Sequence, residues 1–513
     1  MNIRDVLRRA ARSYATRNAV LYDGRFFTFE QMWERGCRLA NALLSLGLAP
    51  RDRVAILTDN TIEAVDFILG AAAANLVRVP LYARNAPDAH WHMLRQTRCR
   101  AVLVGAKYRA DTAKLDRSQL PLLEHRIALA EDYEDWLASF PADCPAGQID
   151  SDDAYIIRHT GGSTGRPRPV SYTHKMWINA CRDWFYNLPK IDIGDIFMHS
   201  CPISHGSGYC FVPVWCNGGI NYVEASFDPL VALRCMQQHR VAMTFLVPTM
   251  ITAMVASQPP RTDFSALKCV QVASAPISRE TLLRARDLFG DVIYQLYGQT
   301  EALPITLLRP SEWSSGDPGC DPLASVGRPL PFADLEIRDI DDPTRSLLAG
   351  EVGEIVVRCD GQMSGFCDDL GSQDRFVDGW VRTGDIGRQD GSGYVYLIDR
   401  KGQMLISGGY NIWPAEIETV LASHPDIIEA VAFGVPHDVW GEAPYAVCYV
   451  RPGAAVAERD LIDLCASKLG SYKKPLHVEL IEHPLPKTAV GKLSREALRS
   501  PHWTDGARRV GAV

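Results

Sequence analysis

The chain has 513 residues, 47% hydrophobic and 22% charged, which predicts a globular protein of two or three domains. Its 54 basic and 61 acidic residues give a net charge of -7, so no basic surplus points to nucleic acid or an anionic membrane. None of the 14 cysteines form a CxxC pair, and only His90 and His92 lie close together among the 13 histidines. The sequence therefore predicts neither a zinc site nor a disulfide framework, but the reduced thiols of a cytoplasmic enzyme.

The N-terminal region predicts a short amphipathic helix rather than a targeting peptide, because Asp5 interrupts its basic residues. The most apolar stretch, residues 62–76, carries Glu63 and Asp66 and is a poor candidate for a membrane span. We therefore expect a soluble protein.

Helical and strand patterns alternate through the first 180 residues. Thr28 to Gln31 have the form of a capping box, opening a helix that Gly47 can close. Apolar strand candidates recur between helical segments at 53–57, 77–81, 101–104, 241–246 and 270–273. Strands separated by helices predict parallel βαβ units with helices on both faces of the sheets.

The pattern changes after about residue 325. Short strands bounded by Gly, Asp and Pro are predicted at 335–339, 353–358 and 394–398, followed from Ile412 by a compact α+β unit. We predict an α/β fold with a large N-terminal domain, residues 1–400, built of doubly wound mixed sheets plus a β-rich subdomain. A small mobile α+β domain, residues 401–513, would follow a hinge near residues 400–402.

The most informative stretch is residues 159–170, His-Thr-Gly-Gly-Ser-Thr-Gly-Arg-Pro-Arg-Pro-Val, here named the phosphate loop. Its glycines let the backbone approach an anion closely, and its hydroxyls and cations supply donors for phosphate oxygens. It is not a Walker A loop, because no Gly-Lys-Ser/Thr follows at the required spacing. By itself such a loop is more often a turn.

Six further segments of the sequence bear on the function of this loop. They are Cys-Pro-Ile-Ser-His-Gly at 201–206, Ser-Ala-Pro at 274–276, Tyr-Gly-Gln-Thr-Glu at 297–301, Trp-Val-Arg-Thr-Gly-Asp at 380–385, Asp-Arg at 399–400 with Ser-Gly-Gly-Tyr-Asn-Ile at 407–412, and Leu-Pro-Lys-Thr-Ala-Val-Gly-Lys-Leu at 485–493. Together with the loop, and in this order, they resemble the motifs of adenylate-forming enzymes: acyl-CoA synthetases, peptide-synthetase adenylation domains and luciferases. The resemblance covers nearly the whole chain.

The resemblance implies an ATP site in the N-terminal domain. Its phosphate-binding residues would be Thr160, Gly161, Gly162, Ser163, Thr164, Gly165 and Arg168. The adenine would be lined by Ser274, Ala275, Pro276, Tyr297, Gly298 and Gln299. Thr300 would hold the α-phosphate, and Glu301 would bind Mg²⁺, whose hard charge suits carboxylate and phosphate oxygens.

Other roles carried by the resemblance concern the ribose, the acyl group and the thiol. Asp385, assisted by Arg400, would accept bonds from the ribose hydroxyls, and Lys492 would bridge the carboxylate and the α-phosphate. His205 would line the acyl tunnel and the path of the thiol. Coenzyme A would be held in a narrow channel formed by Gly408 and Gly409. The stacking or cationic side chains of Trp440, Tyr472, Lys473 and Lys474 would contact its nucleotide. These four are equally interpreted as ordinary surface residues.

Several positions depart from the family pattern. Where the family commonly has Pro-Lys-Gly, the loop has Pro167, Arg168 and Pro169, and its first serine is replaced by Gly161. Arginine keeps the charge without the compact ammonium, and proline fixes φ and removes an N–H. The hinge position is Gly402. One hypothesis is that the enzyme only converts a supplied acyl-AMP to the thioester; the alternative, which we favour, is that the loop tolerates these changes.

The predicted function is that of a carboxylic acid–CoA ligase acting through acyl-AMP. A peptide-synthetase domain is disfavoured, because residues 204–209 have no aspartate for a substrate ammonium group and no carrier domain follows Lys492. Gly206, Ser207 and Gly208 would leave space for an aryl, alicyclic or medium-chain acyl group, with Val272 and Leu296 as apolar walls. Pantetheine on a carrier protein could replace CoA. A rival of another class is a non-catalytic acyl- or nucleotide-binding relative.

Overall fold

The computed structural model describes residues 1–113, 117–160, 167–257, 262–275, 277–314, 319–367, 373–407, 410–488 and 492–503. Two compact units divide the chain: Met1–Leu335 with Val357–Val381, and Glu336–Val356 with Arg382–Val513. The domain boundary near residues 400–402 stays a prediction. Within the described part of the chain, no helix is both long and apolar enough to cross a membrane.

Fourteen α-helices are described, and several of them begin with an N-cap side chain that accepts a backbone hydrogen bond. Thr28 and Gln31 form the predicted capping box, which confirms the start of the second helix. The helices are α1 (Ile3–Ser13), α2 (Phe29–Ser45), α3 (Ile62–Ala73), α4 (Pro87–Thr97), α5 (Arg109–Ala113), α6 (Tyr133–Ala138), α7 (His174–Tyr186), α8 (Gly208–Cys216), α9 (Pro229–Gln238), α10 (Pro248–Ala256), α11 (Arg279–Phe289), α12 (Pro414–Ala422), α13 (Glu458–Leu469) and α14 (Arg495–Arg499).

The strands alternate with these helices, as the sequence predicts for an α/β fold. They are β1 (Asn18–Tyr22), β2 (Arg25–Thr28), β3 (Arg53–Leu57), β4 (Val77–Pro80), β5 (Ala101–Gly105), β6 (His125–Leu129), β7 (Ala154–His159), β8 (Pro169–Thr173), β9 (Ile196–His199), β10 (Ile220–Val223), β11 (Met243–Leu246), β12 (Cys269–Val272), β13 (Ile293–Tyr297), β14 (Thr306–Leu308), β15 (Arg328–Pro329), β16 (Ala333–Arg338), β17 (Gly353–Cys359), β18 (Gly365–Phe366), β19 (Phe376–Val377), β20 (Trp380–Gln389), β21 (Val395–Arg400), β22 (Leu405–Ser407), β23 (Tyr410–Ile412), β24 (Ile427–His437), β25 (Gly441–Val450) and β26 (His477–Ile481).

Two large mixed sheets organise the first unit. One has the order β15-β14-β13-β12-β11-β9-β10-β1-β2, with parallel pairing from β13 through β1 and antiparallel strands at its edges. The other has the order β18-β8-β7-β4-β3-β5-β6, in which β7 pairs antiparallel with β8. The doubly wound mixed sheets predicted for this region are confirmed.

Two smaller sheets contain the later strands. One joins β16, β17, β20, β19 and β21, in the β-rich region predicted after residue 325. The other, in the second unit, has the order β23-β22-β25-β24, and β26 pairs in parallel with β25. Helices α12 and α13 pack with this last sheet around a separate apolar core that includes Ile417, Leu421 and Leu461. This is the compact α+β unit that the sequence predicts.

Helices α2 and α3 pack closely enough to require glycine. A Cβ at Gly36 would lie 2.5 Å from the Leu69 Cβ, and one at Gly70 would lie 2.9 Å from the Gly36 carbonyl oxygen. Beside this contact, Arg35 donates to the fully buried Asp66 through Nε (2.9 Å) and Nη2 (2.7 Å). The pair compensates a carboxylate that burial would otherwise strongly destabilise.

Replacing Arg35 by methionine tests this compensation. Burial raises the pKa of Asp66 from 3.8 to about 6 while Arg35 opposes the rise, so the folded state keeps a proton that the unfolded chain releases as pH rises from about 4. Without Arg35 this pKa rises further, and the loss of stability grows with pH. We expect a loss of about 3 kcal/mol at pH 8 and a smaller loss at pH 5, measured by chemical unfolding.

Glu134 provides the matched control, because its exposed carboxylate contacts the same arginine at 2.6 Å. We expect Glu134→Gln to cost about 1 kcal/mol or less. An Arg35→Met loss that is independent of pH would contradict this explanation.

Candidate active site

Four parallel strands of the nine-stranded sheet end at one edge, and the predicted motifs follow directly after three of them. The segment containing His205 comes after β9, Ser274 and Ala275 come after β12, and Tyr297 to Glu301 begin at the end of β13. Carboxyl ends of parallel strands form the usual binding crevice of open α/β sheets. The sheet thus brings the acyl, adenine and metal candidates to a common edge.

The phosphate loop is the connection between β7 and β8. The Thr160 backbone N–H donates to the Arg168 carbonyl (2.9 Å), and the Arg168 N–H donates to the Thr160 hydroxyl (3.1 Å). Gly161, Gly162, Ser163, Thr164 and Gly165 lie outside the described residues. Pro169 is the first residue of β8, a position where a missing N–H is tolerated, and Arg168 is exposed with its guanidinium 5.6 Å from the Phe366 ring centroid.

A buried tyrosine joins this loop to the segment after β13. The Tyr172 hydroxyl, on β8, donates to the Thr300 carbonyl at 2.7 Å, and the Met363 N–H donates to the Glu301 carbonyl at 2.8 Å. Burial raises the pKa of Tyr172 well above 10, so the phenol stays protonated and remains a donor. The backbone of Thr300 and Glu301 is therefore held from two sides.

The Glu301 side chain fits the predicted metal role. Glu301 is 6% exposed, and among the described residues no hydrogen bond or ion pair engages its carboxylate. A buried carboxylate without a protein partner is a hard oxygen ligand open to a divalent cation. These residues thus fit Mg²⁺, with Glu301 as the ligand that this chain would supply.

The adenine candidates sit in tightly constrained backbone. Ser274 has φ +79°, the left-handed region that non-glycine residues rarely adopt outside functional turns. A Cβ at Gly298 would lie 2.9 Å from the Leu303 Cβ. Ala275 is described beside Ser274, Gln299 exchanges backbone bonds with Ala302 (2.8 and 3.2 Å), and Pro276 lies outside the described residues.

His205 lies in a turn between β9 and α8. Its N–H donates to the Pro202 carbonyl (2.9 Å), and its ring packs edge-on against Tyr82, with the centroids 4.9 Å apart. Burial raises the pKa of Tyr82, and Glu301 adds to the rise, which indicates that the tyrosine, the histidine's neighbour, also lies within electrostatic reach of Glu301. His205 and the metal candidate Glu301 therefore share one region of the first unit.

The expected space at Gly206, Ser207 and Gly208 is wrong. A Cβ at Gly206 would lie 2.9 Å from the Phe245 ring, and one at Gly208 would lie 2.1 Å from the Ile203 carbonyl oxygen. Ser207 is fully buried in a 2.6 Å hydrogen bond with His199. These small residues allow close packing of the turn and α8 rather than an open pocket. The two residues proposed as apolar walls of this pocket, Val272 and Leu296, do not lie together either, because they belong to different apolar clusters.

In the second unit, Asp385 and Arg400 face each other across β20 and β21. The Arg400 Nε lies 2.8 Å from the Asp385 Oδ1, and the Asp385 N–H donates to the Thr383 hydroxyl at 3.0 Å. Asp385 is 5% exposed, whereas the Arg400 side chain is partly open. The structure thus brings the two ribose candidates together. Gly402 lies in the short 3-10 helix Lys401–Gln403 that follows.

Lys492 is bonded to Thr488 twice. The Thr488 N–H donates to the Lys492 carbonyl (2.6 Å), and the Lys492 N–H donates to the Thr488 hydroxyl (3.2 Å). Lys487, in the same motif, is paired with Glu429 at 2.7 Å. Glu429 therefore engages the Lys487 amine, and the Lys492 backbone is bonded to Thr488.

The candidates for CoA lie in the second unit around β22, β23 and β25. Trp440 stacks on His437 (4.3 Å between centroids), and Tyr472 packs against Tyr410 (5.1 Å); both are about half exposed. Lys473 is paired with Glu416 at 2.7 Å, which occupies its charge. Lys474, half-buried, forms no ion pair within the described ranges. Gly408 and Gly409 fall outside these ranges.

Sequence reasoning missed three residues that the fold places beside the predicted site. Tyr82 contacts His205, Tyr172 bonds Thr300, and Arg158 lies against the turn that carries His205, with its Nη2 3.5 Å from the Ser204 carbonyl. The tyrosines resemble ordinary core residues in sequence. Arg158 gave a usable signal, because a charged residue follows directly after the apolar residues that begin β7.

Comparisons with known proteins agree with this arrangement. The AMP-binding enzyme family model matches residues 7–367, and the model of the AMP-binding enzyme C-terminal domain matches residues 416–492. A fatty acid–[acyl-carrier-protein] ligase from Streptomyces coeruleorubidus is 31% identical over 96% of this chain and 95% of its own. A feruloyl-CoA synthase from Amycolatopsis sp is 30% identical over 96% and 97%.

Solved structures give the same fold. The anthranilate CoA ligase AuaEII in complex with anthranoyl-AMP has a TM-score of 0.87 and 25% identity, covering 98% of this chain and 97% of that one. The family matches span most of the chain and include both the large and the C-terminal domain. This chain belongs to the AMP-binding enzyme family, in its acyl-CoA ligase branch, and is an AMP-forming acyl-CoA synthetase that uses ATP and coenzyme A.

Proposed function

We propose that this chain activates an aryl, alicyclic or medium-chain carboxylic acid as acyl-AMP and transfers it to CoA or a carrier-protein pantetheine. The observation that carries the proposal is the buried Glu301 carboxylate, without a described protein partner, beside a Thr300 backbone anchored by Tyr172. Relatives named for fatty acids and for feruloyl-CoA support an aliphatic or aromatic acyl group, and one named for an acyl-carrier protein supports carrier-protein pantetheine as an acceptor besides coenzyme A.

Adenylation joins two anions, so the site must offset charge while it aligns the reacting groups. In our proposal Thr160 and Arg168 hold the outer phosphates, Thr300 holds the α-phosphate and Glu301 the metal ion. Bound Mg²⁺ would neutralise phosphate charge and orient the leaving pyrophosphate. The carboxylate oxygen attacks the α-phosphorus as pyrophosphate leaves. Lys492 contributes a positive charge that stabilises the oxygens at this centre.

The second step forms the thioester. The thiol sulfur, as thiolate, attacks the acyl carbonyl, and AMP leaves with the electrons of the C–O bond. His205, whose ring packs on Tyr82, would line the approach of the thiol. Asp385, aligned by Arg400, would keep hold of the ribose through both steps.

The two half-reactions separate the remaining alternatives. We expect ATP-dependent pyrophosphate release and thioester formation from pre-made acyl-AMP to proceed with the same acid. We also expect the double variant R168K/P169G to change pyrophosphate release by less than about threefold, because Pro169 begins a strand where its missing N–H is tolerated. Wild-type protein that performs only the second step, and gains the first in the double variant, would establish the thioesterification-only alternative.

Lys492→Ala should separate the steps in another way. We expect a loss of about 100-fold or more in pyrophosphate release, since a charge that stabilises the adenylation transition state is removed. Thioester formation from acyl-AMP should stay within about threefold of wild type, since that step does not use this charge. Lys487→Ala, whose amine is already paired with Glu429, is the control and should spare both steps. Equal losses in both steps for Lys492→Ala would contradict its assigned role.

Tyr172→Phe tests the anchor of Thr300. Removing the 2.7 Å hydrogen bond of this buried tyrosine costs about 1–1.5 kcal/mol, so we expect kcat/KM for ATP to fall by roughly 10-fold. Tyr108→Phe is the matched control, because its hydroxyl donates to Asp59 at the same 2.7 Å. It should lower thermal stability similarly and leave the kinetics for ATP unchanged. Indistinguishable kinetics for the two variants would show that the anchor does not serve the nucleotide site.

A further inference from the structure

Arg158 is a buried cation without an anionic partner. The residue is 3% exposed on β7, its Nε is enclosed without any hydrogen bond, and it forms no ion pair in the described part of the chain. A guanidinium removed from water at this cost is normally paired with a carboxylate or phosphate. Arg35, by comparison, has two carboxylates at hydrogen-bonding distance. The missing partner of Arg158 therefore needs an explanation.

Aromatic rings and a carbonyl compensate part of this charge. The guanidinium carbon lies 4.1 Å from the Tyr209 ring centroid and 5.8 Å from that of Trp177, and Nη2 reaches the Ser204 carbonyl at 3.5 Å. The Tyr209 hydroxyl is likewise buried without a partner. Cation–π contacts hold a guanidinium in place but leave its charge unneutralised. The cluster is thus positive and has spare donors.

A second buried arginine makes the region still more positive. Arg78, on β4, is 4% exposed and also lacks a partner for its Nε. Its guanidinium carbon lies 5.6 Å from the Tyr155 ring centroid. Burial lowers the pKa of Arg78, and Arg158 lowers it further by repulsion, so the two charges lie within electrostatic reach of each other. An anion placed beside Arg158 would relieve both costs.

The position of Arg158 points to the acyl end of the site. Ser204 precedes His205, and Tyr209, which carries the guanidinium on its face, lies in the first turn of α8. Arg158 also lowers the raised pKa of Tyr82, the residue on which His205 packs. Its contacts come from α7, α8 and the histidine turn, and the phosphate candidate Thr160 follows it by two residues on the chain.

We propose that Arg158 binds a second carboxylate on the acyl substrate, so that the preferred acids of this enzyme are dicarboxylic. The inference rests on the proposed function. A planar guanidinium fork matches a carboxylate in bidentate geometry, and the buried Tyr209 hydroxyl supplies a further donor. In the proposed function the reacting carboxylate would have its own cations, Lys492 and a metal ion held by Glu301. Arg158 therefore acts on specificity rather than on the bond-forming centre.

The test compares acids that differ only in the second carboxylate. Butanoic, hexanoic and octanoic acids are paired with the corresponding diacids and with the monomethyl esters of those diacids, and thioester formation is measured for each. With wild-type protein we expect at least one diacid to exceed both its monoacid and its half-ester in kcat/KM by on the order of 100-fold. A wild-type preference for the neutral member of every set would overturn the proposal, without any mutation.

Variants then assign the effect to the residue. We expect Arg158→Met to lower kcat/KM for the preferred diacid by on the order of 100-fold and to change that of the monoacid by less than about threefold. Arg158→Lys should recover part of the loss, because it keeps the charge without the fork. Equal losses for diacid and monoacid would overturn the proposal and place Arg158 at the reacting end or in the fold.

Arg78→Met is the matched control, because it removes an equally buried arginine that faces Tyr155 instead of the histidine turn. It should lower the diacid-to-monoacid ratio much less than Arg158→Met does, whatever its effect on stability, because its charge would act on a bound anion only at longer range. If no acid is turned over at all, the proposed function fails while this inference can still be tested by calorimetric binding. A diacid that binds no more tightly than its half-ester, or equally well to Arg158→Met, would then overturn it.

Discussion

The parallel register of the nine-stranded sheet is the constraint on which the site depends. Because β9, β11, β12 and β13 run in the same direction, the segments that follow them emerge at one edge. Residues as distant in sequence as His205 and Glu301 thereby reach the same region. The second large sheet contributes β7 and β8, and the Tyr172 hydroxyl couples β8 to the segment after β13. One hydrogen bond thus joins the strand that follows the phosphate loop to Thr300, the α-phosphate candidate next to Glu301.

Unbalanced buried charge is a feature of this region. Elsewhere the buried carboxylate of Asp66 is matched by Arg35, and Glu354 by Arg382, as expected for charges that serve stability. Glu301 and Arg158 have no such partner among the described residues. A fold that buries charges without pairing them is suited to ligands that carry the opposite charges. A metal ion would balance the charge of Glu301, and an anionic acyl group would balance that of Arg158.

The second unit holds its candidate residues by local geometry. Asp385 and Arg400 are opposite each other in a hairpin, and Thr488 is bonded to Lys492 four residues further along the chain, so both pairs form between residues close in sequence. Lys487, in the same motif as Lys492, is paired with Glu429.

The sequence by itself determined the fold class, the family and most of the candidate residues, because these depend on local properties. Alternating apolar segments predicted the sheets, and the spacing of glycine, hydroxyl and charged residues identified the motifs. Tertiary structure decided what surrounds each residue. The glycines at 206 and 208 pack against Phe245 and Ile203 instead of leaving space, and Tyr172 and Arg158 join the site through partners far along the chain. Periodicity reports which face of an element is apolar, but the contacts of a buried side chain depend on how separate elements meet, and only the folded chain specifies that.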